Sequence, residues 1–193
     1  MTTPEQQYQI DLLKDIFGLI KSLRDESERA VVILAAARLD VDLEKLLKHI
    51  LKRHPGGTDP LFEGDRMLGT FSAKIAMAHR LGAIDDDFEH AIQMLRKIRN
   101  DFAHQLESET LSSSRQKSRL QELVRWASKS DIYQSGLKAF DTEEMSVEHL
   151  QLVLCVATMV VMLHAGLSTL SRVHVGRALS VHRIPKNEQG KEA

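Results

Sequence analysis

The chain has 193 residues, enough for one domain with a sizeable core, and 42% of them are hydrophobic, which excludes a wholly disordered polymer. Its 26 Lys and Arg against 27 Asp and Glu leave a formal charge of −1, so binding driven by a general basic excess is excluded as its way of holding nucleic acid. The single cysteine, Cys155, excludes an internal disulfide and a thiolate metal cluster.

The first residues, "MTTPEQQYQIDLLKD", are polar and acidic and lack the basic-then-apolar pattern of a secretion signal, so the expected location is the cytoplasm. Apolar spacing predicts a first helix over Pro4–Arg24, with Leu12, Leu13, Ile16, Phe17, Leu19, Ile20 and Leu23 on its inner face. Ser27 is placed to cap a second helix that runs to about Lys52. Its pattern predicts burial of Val31, Leu34, Ala35, Leu39, Leu43, Leu46, Leu47 and Ile50. The small residues Ala35, Ala36 and Ala37 would let a neighbouring helix come close. "HPGGTDP", residues 54–60, ends this helix, and a loop through "LFEGDRML" follows.

A third helix is predicted from "GTFSAKI", with Thr70 or Ser72 as N-cap and Gly82 as the C-terminal stop. Asp85–Asp87 then open a fourth, where carboxylates favour the positive end of the helix dipole; capping explains them better than metal binding. Phe88, Ile92, Leu95, Ile98 and Phe102 mark its apolar side. After the polar "LESETLSSS" come a basic helix of about Arg115–Lys129, a weaker segment near Tyr133–Phe140 and a long apolar helix over Ser146–Val173. The balance of charge shifts along the chain: 113–193 carry 11 basic and 8 acidic residues, 1–112 carry 15 and 19.

Leu152–Leu170 contains no Asp, Glu, Lys or Arg, which meets the crude length for a membrane span. His164, Ser168 and Thr169 interrupt it and no aromatic belt flanks it, so a helix buried on all sides is expected instead. The predicted architecture is all-α: a single bundle of about six or seven helices over residues 1–175 with a long buried C-terminal helix, followed by a disordered tail over 176–193.

The chemistry concentrates in "RNDFAH", Arg99–His104, at the end of the fourth helix. Five residues on a regular helix turn about 140°, so Arg99 and His104 point apart unless the helix loosens or a second subunit completes the site. Asn100 and His104, four apart, share a face, and Arg96 shares it with Asn100. An imidazole that moves a proton and a guanidinium that holds a phosphate suit metal-independent RNA cleavage. The same spacing suits a helix-end histidine held by the dipole, with Arg99 paired to a carboxylate. Asp40 and Glu44 lie on one face of the second helix, and pairing with Arg96 or Arg99 is expected of them before metal binding. The other histidine pairs, His49 with His54 and His149 with His164, are badly spaced for one ion, and "HPGG" lacks the Lys-Ser/Thr of a phosphate loop. No metal ion or cofactor is therefore expected.

Three segments, "ESERAVVILAAARLDVDLEKLL", "LFEGDRMLGTFSAKIAMAHRLGAI" and "MLRKIRNDFAH", resemble in that order the bacterial mannitol operon repressor (MltR) family. The likeness covers roughly residues 10–125. It implies an all-helical transcriptional regulator, repressor-like, without a recognisable DNA-reading helix-turn-helix, acting through a protein partner or weak nucleic-acid contacts. "RNDFAH" alone also resembles the Arg-x4-6-His motif of the HEPN superfamily, many of whose members are dimeric RNases of toxin or defence type while others are inactive binding modules. On that resemblance Arg99, Asn100 and His104 would be catalytic, RNA the substrate and a homodimer the working form. The expected functions, in order, are a regulator, a metal-independent RNase and a non-enzymatic helical scaffold.

Overall fold

A computed structural model describes residues 3–104, 109–140, 145–174 and 176. Among them are seven α-helices and no strand: α1 Pro4–Arg24, α2 Glu28–Ile50, α3 Phe71–Arg80, α4 Asp86–His104, α5 Ser114–Ala127, α6 Asp131–Ala139 and α7 Val147–Thr169. A short 3-10 turn, Pro60–Phe62, interrupts the long connection between α2 and α3. The predicted tail and residues 105–108 of the predicted polar loop lie outside the described residues, apart from Gly176.

The helix ends follow from local chemistry. Ser27, Thr70 and Ser146 each accept a backbone N–H through the side-chain oxygen and start α2, α3 and α7. Asp85 does the same for α4, accepting from the Phe88 N–H at 2.8 Å. The carboxylates beside it are used singly: Asp86 meets His79 at 2.7 Å and Asp87 meets Lys129 at 2.6 Å. Gly82, at φ +69°, takes the left-handed conformation that stops α3.

α7 is the central element, packed against α1, α2, α5 and α6, while α2 forms a second spine touching α1, α3, α4 and α7. By length and composition α7 could cross a membrane, with a mean hydropathy of 2.1 over its best window; 67% of that window is buried inside the fold. One connected core draws side chains from all seven helices, including Ile20, Leu39, Ile75, Leu95, Leu123, Tyr133 and Val156. Burying each large aliphatic side chain contributes roughly 1.5–3 kcal/mol, so this core is the main stabilising feature. Cys155 lies within it, and burial pushes its thiol well above the ordinary range, which leaves it unreactive.

Three expectations are corrected. α7 ends at Thr169, four residues early, where Leu170 turns to an extended conformation as C-cap and the residues after it dock on α2. The chain then runs extended along the end of α2, where the Val173 N–H donates to the Ile50 carbonyl at 2.8 Å and His49 bonds the Leu170 carbonyl at 2.9 Å. Leu13 and Phe17 are exposed, since α1 sits at the edge of the bundle and buries only Ile16, Ile20 and Leu23. Leu34 is likewise exposed, on the outer side of α2.

A buried polar network ties α1, α2 and α7 together. Asp42, 2% exposed, accepts from Arg38 at 2.6 Å and from Lys45 at 2.9 Å, and Arg38 reaches on to Asp15 of α1. His164 of α7 stands 3.6 Å from the same carboxylate. Burial alone would raise the Asp42 pKa; the His164 ring, Arg38 and Lys45 outweigh it and bring the pKa down to about 2.

Candidate functional site

A cleft of about 400 Å³ opens beside the "RNDFAH" segment, between α2, the start of α3 and the last turns of α4. Arg96, Arg99 and Asn100 form its α4 wall, Thr70 and Ser72 its α3 edge, and Asp40 stands on the α2 side. Ala36 and Ala37 also line it, so the small residues of α2 open the space here.

α4 stays α-helical through His104, so the turn of about 140° between Arg99 and His104 is kept. Arg99 and Asn100 face the cleft; His104 is exposed at the helix end and is not among the residues that line it. Of the three predicted site residues the fold therefore brings two together within one chain. Arg99 donates to Asn100 Oδ1 at 3.2 Å, and Arg96 donates through Nε to Gln93 Oε1 at 2.7 Å.

The expected partners of these arginines are engaged elsewhere. Lys74, on the first turn of α3 and 3% exposed, stands 3.0 Å from Asp40 Oδ1 and 2.7 Å from Glu44 Oε2. Glu44 is held a second time by Lys48 at 2.6 Å. Burial acts to lower the Lys74 pKa, but its bonds to Glu44 and Asp40 prevail and keep it above the ordinary lysine value, so the ammonium stays charged. The reason is reach: α3 lies against this flank of α2, and a lysine buried there needs both carboxylates to offset its desolvation. Arg96 and Arg99 consequently make no ion pair with a carboxylate among the described residues.

Lys74 is the residue that reading the sequence missed. Its signal was a lysine on the apolar face of α3, in register with Ile75 and Ala78, facing an Asp40–Glu44 pair four residues apart.

The other side of α4 is occupied by α5. Asp101 accepts from Arg119 at 2.7 Å and from Gln116 at 2.9 Å, with Arg115 at 3.6 Å. Burial would raise the Asp101 pKa, and these donors lower it. Lys117 pairs with Glu148 and Lys129 with Asp87, so several of the basic side chains of the α5 region are spent on ion pairs within the fold. Trp126 stacks on Phe88 with ring centroids 4.7 Å apart. Arg29 of α2 donates to the Phe102 carbonyl, satisfying a backbone acceptor in the last turn of α4.

No group of three or more His, Cys, Asp or Glu among the described residues is arranged to hold a metal ion. Compared with protein-family models, with curated proteins and with solved structures, the chain gives no match in any of the three. Two guanidiniums without carboxylate partners, an amide and two hydroxyls around one open cleft form a receptor for an anionic group.

Proposed function

We propose that the protein is a cytoplasmic regulator of the mannitol operon repressor type, acting through a protein partner or weak nucleic-acid contacts, in which the arginine cleft is the recognition element. The observation that favours recognition over catalysis is the split of the motif: Arg99 and Asn100 line the cleft with Arg96, and His104 does not. A proton-transferring imidazole must come within hydrogen-bond reach of the group it serves, and this one starts from the wrong side of the helix. Ion pairing of Arg115, Lys117, Arg119 and Lys129 within the fold supports the absence of a groove-reading basic helix.

The test is genetic complementation, read as expression of the linked operon in a strain lacking the chain. Wild type and His104→Ala are expected to restore regulation, while Arg96→Gln and Arg99→Gln fail. Loss of regulation in His104→Ala would overturn the binding reading, and an operon indifferent to the chain would overturn the regulator.

A dimeric, metal-independent RNase is the second reading. It is favoured by the Arg99–Asn100 contact and by the exposure of His104 at the end of the same helix. It requires a second copy to bring a histidine to the first copy's Arg99.

A further inference from the structure

The cleft between α2, α3 and α4 carries more positive charge than its own carboxylates offset. Asp40 and Glu44 are matched by Lys74 and Lys48, which leaves the charges of Arg96 and Arg99 in excess. We infer that this cleft binds a phosphomonoester of a small molecule, held at its phosphate by Arg96, Arg99, Asn100 and Ser72 and along its neutral body by the α2 wall. The inference rests on the reading that the cleft recognises rather than cleaves.

The donor set suits a multiply charged oxyanion. Arg96 spends Nε on Gln93, which steers the guanidinium and keeps its terminal N–H groups for a ligand. Arg99 spends one N–H on Asn100 Oδ1, and because that oxygen accepts, the amide nitrogen of Asn100 remains a donor. Thr70 Oγ1 caps α3, accepting from the Ala73 N–H at 3.3 Å, and stands 3.3 Å from Ser72 Oγ; with Thr70 as the donor in that contact, the exposed Ser72 hydroxyl keeps its own O–H for the cleft. Paired guanidiniums match phosphate oxygens by charge-assisted, forked hydrogen bonds.

Shape calls for more than inorganic phosphate. A volume of about 400 Å³ falls in the range of small-molecule sites, roughly 300–1,000 Å³. Beyond the arginines the lining turns apolar, with Ile33, Ala36, Ala37 and Phe71. Asp40 lies on the same side, but its Oδ1 is closed to solvent and paired with Lys74 at 3.0 Å.

Isothermal titration of the full chain tests this, using inorganic phosphate, glycerol 3-phosphate, AMP, adenosine, and one oligonucleotide with and without a 5′-phosphate. Glycerol 3-phosphate or AMP is expected to bind more tightly than inorganic phosphate, and adenosine not at all. Arg96→Gln and Arg99→Gln should each weaken binding by about tenfold or more, while Arg125→Gln on α5 leaves it unchanged. Unaltered thermal melting of the two cleft variants would show that they are folded. Silence with every phosphomonoester at millimolar concentration, or binding indifferent to both cleft arginines, would overturn the inference. Binding of only the oligonucleotide, regardless of its 5′-phosphate, would also overturn it while leaving the regulatory reading intact. Phosphomonoester binding in a chain that fails to regulate would remove the regulator and keep the site.

Discussion

Asp42 and Lys74 sit on opposite flanks of the α2 helix, both nearly inaccessible to water and both charged, and each is kept so by two or more partners. Their effects on stability differ in kind. Asp42 has its folded pKa near 2, below the ordinary value of 3.8, so the stability it contributes is present above about pH 4 and is lost as pH falls towards 2. That shift corresponds to about 2 kcal/mol. Urea midpoints measured between pH 6 and pH 2.5 should fall on the acid side for wild type, and Asp42→Asn should start lower at pH 6 and fall less steeply. Identical acid slopes would show that Asp42 is not a principal acid-sensitive group. Lys74 instead shapes the cleft: it takes Asp40 and Glu44 and leaves the α4 arginines without carboxylate partners among the described residues. At this scale Arg99 and Asn100 could be read from the sequence as a motif. The cleft they share with Thr70 and Ser72 could not, since it depends on how α3 crosses α2, which no local spacing encodes.

The helices themselves were largely readable because their ends carry capping side chains and their faces carry apolar periodicity. Ser27, Thr70, Asp85 and Gly82 mark boundaries that the fold keeps. The failures of burial have a shared cause: apolar spacing shows which residues align on a face, not how much of that face a neighbour covers. Leu13, Phe17 and Leu34 are aligned with buried residues yet lie at the margin of the bundle. The end of α7 was misplaced because its stop comes from the following residues docking on the end of α2, a tertiary contact that local spacing does not encode.

The connection before α3 has its own requirement. A Cβ on Gly69 would collide with the carbonyl oxygens of Glu63 and Gly64, backbone atoms that have little room to move. Gly69→Ala is expected to cost about 2 kcal/mol in chemical denaturation and to weaken phosphomonoester binding by displacing Thr70–Ser72. A variant as stable as wild type would mean that this loop adapts freely and does not fix the cleft.

For the whole molecule, the near-zero net charge conceals an uneven arrangement. Basic side chains of the α5 region are paired within the fold, whereas two arginines of α4 face a cleft without carboxylate partners among the described residues. A single chain so arranged can hold an anion without an imidazole placed to cleave it. The most direct measurement is incubation of purified protein with end-labelled RNA in EDTA, at concentrations spanning monomer and any dimer. The RNA is expected to stay intact, with His104→Ala behaving as wild type. Cleavage that survives EDTA and disappears in both His104→Ala and Arg99→Ala would contradict that expectation.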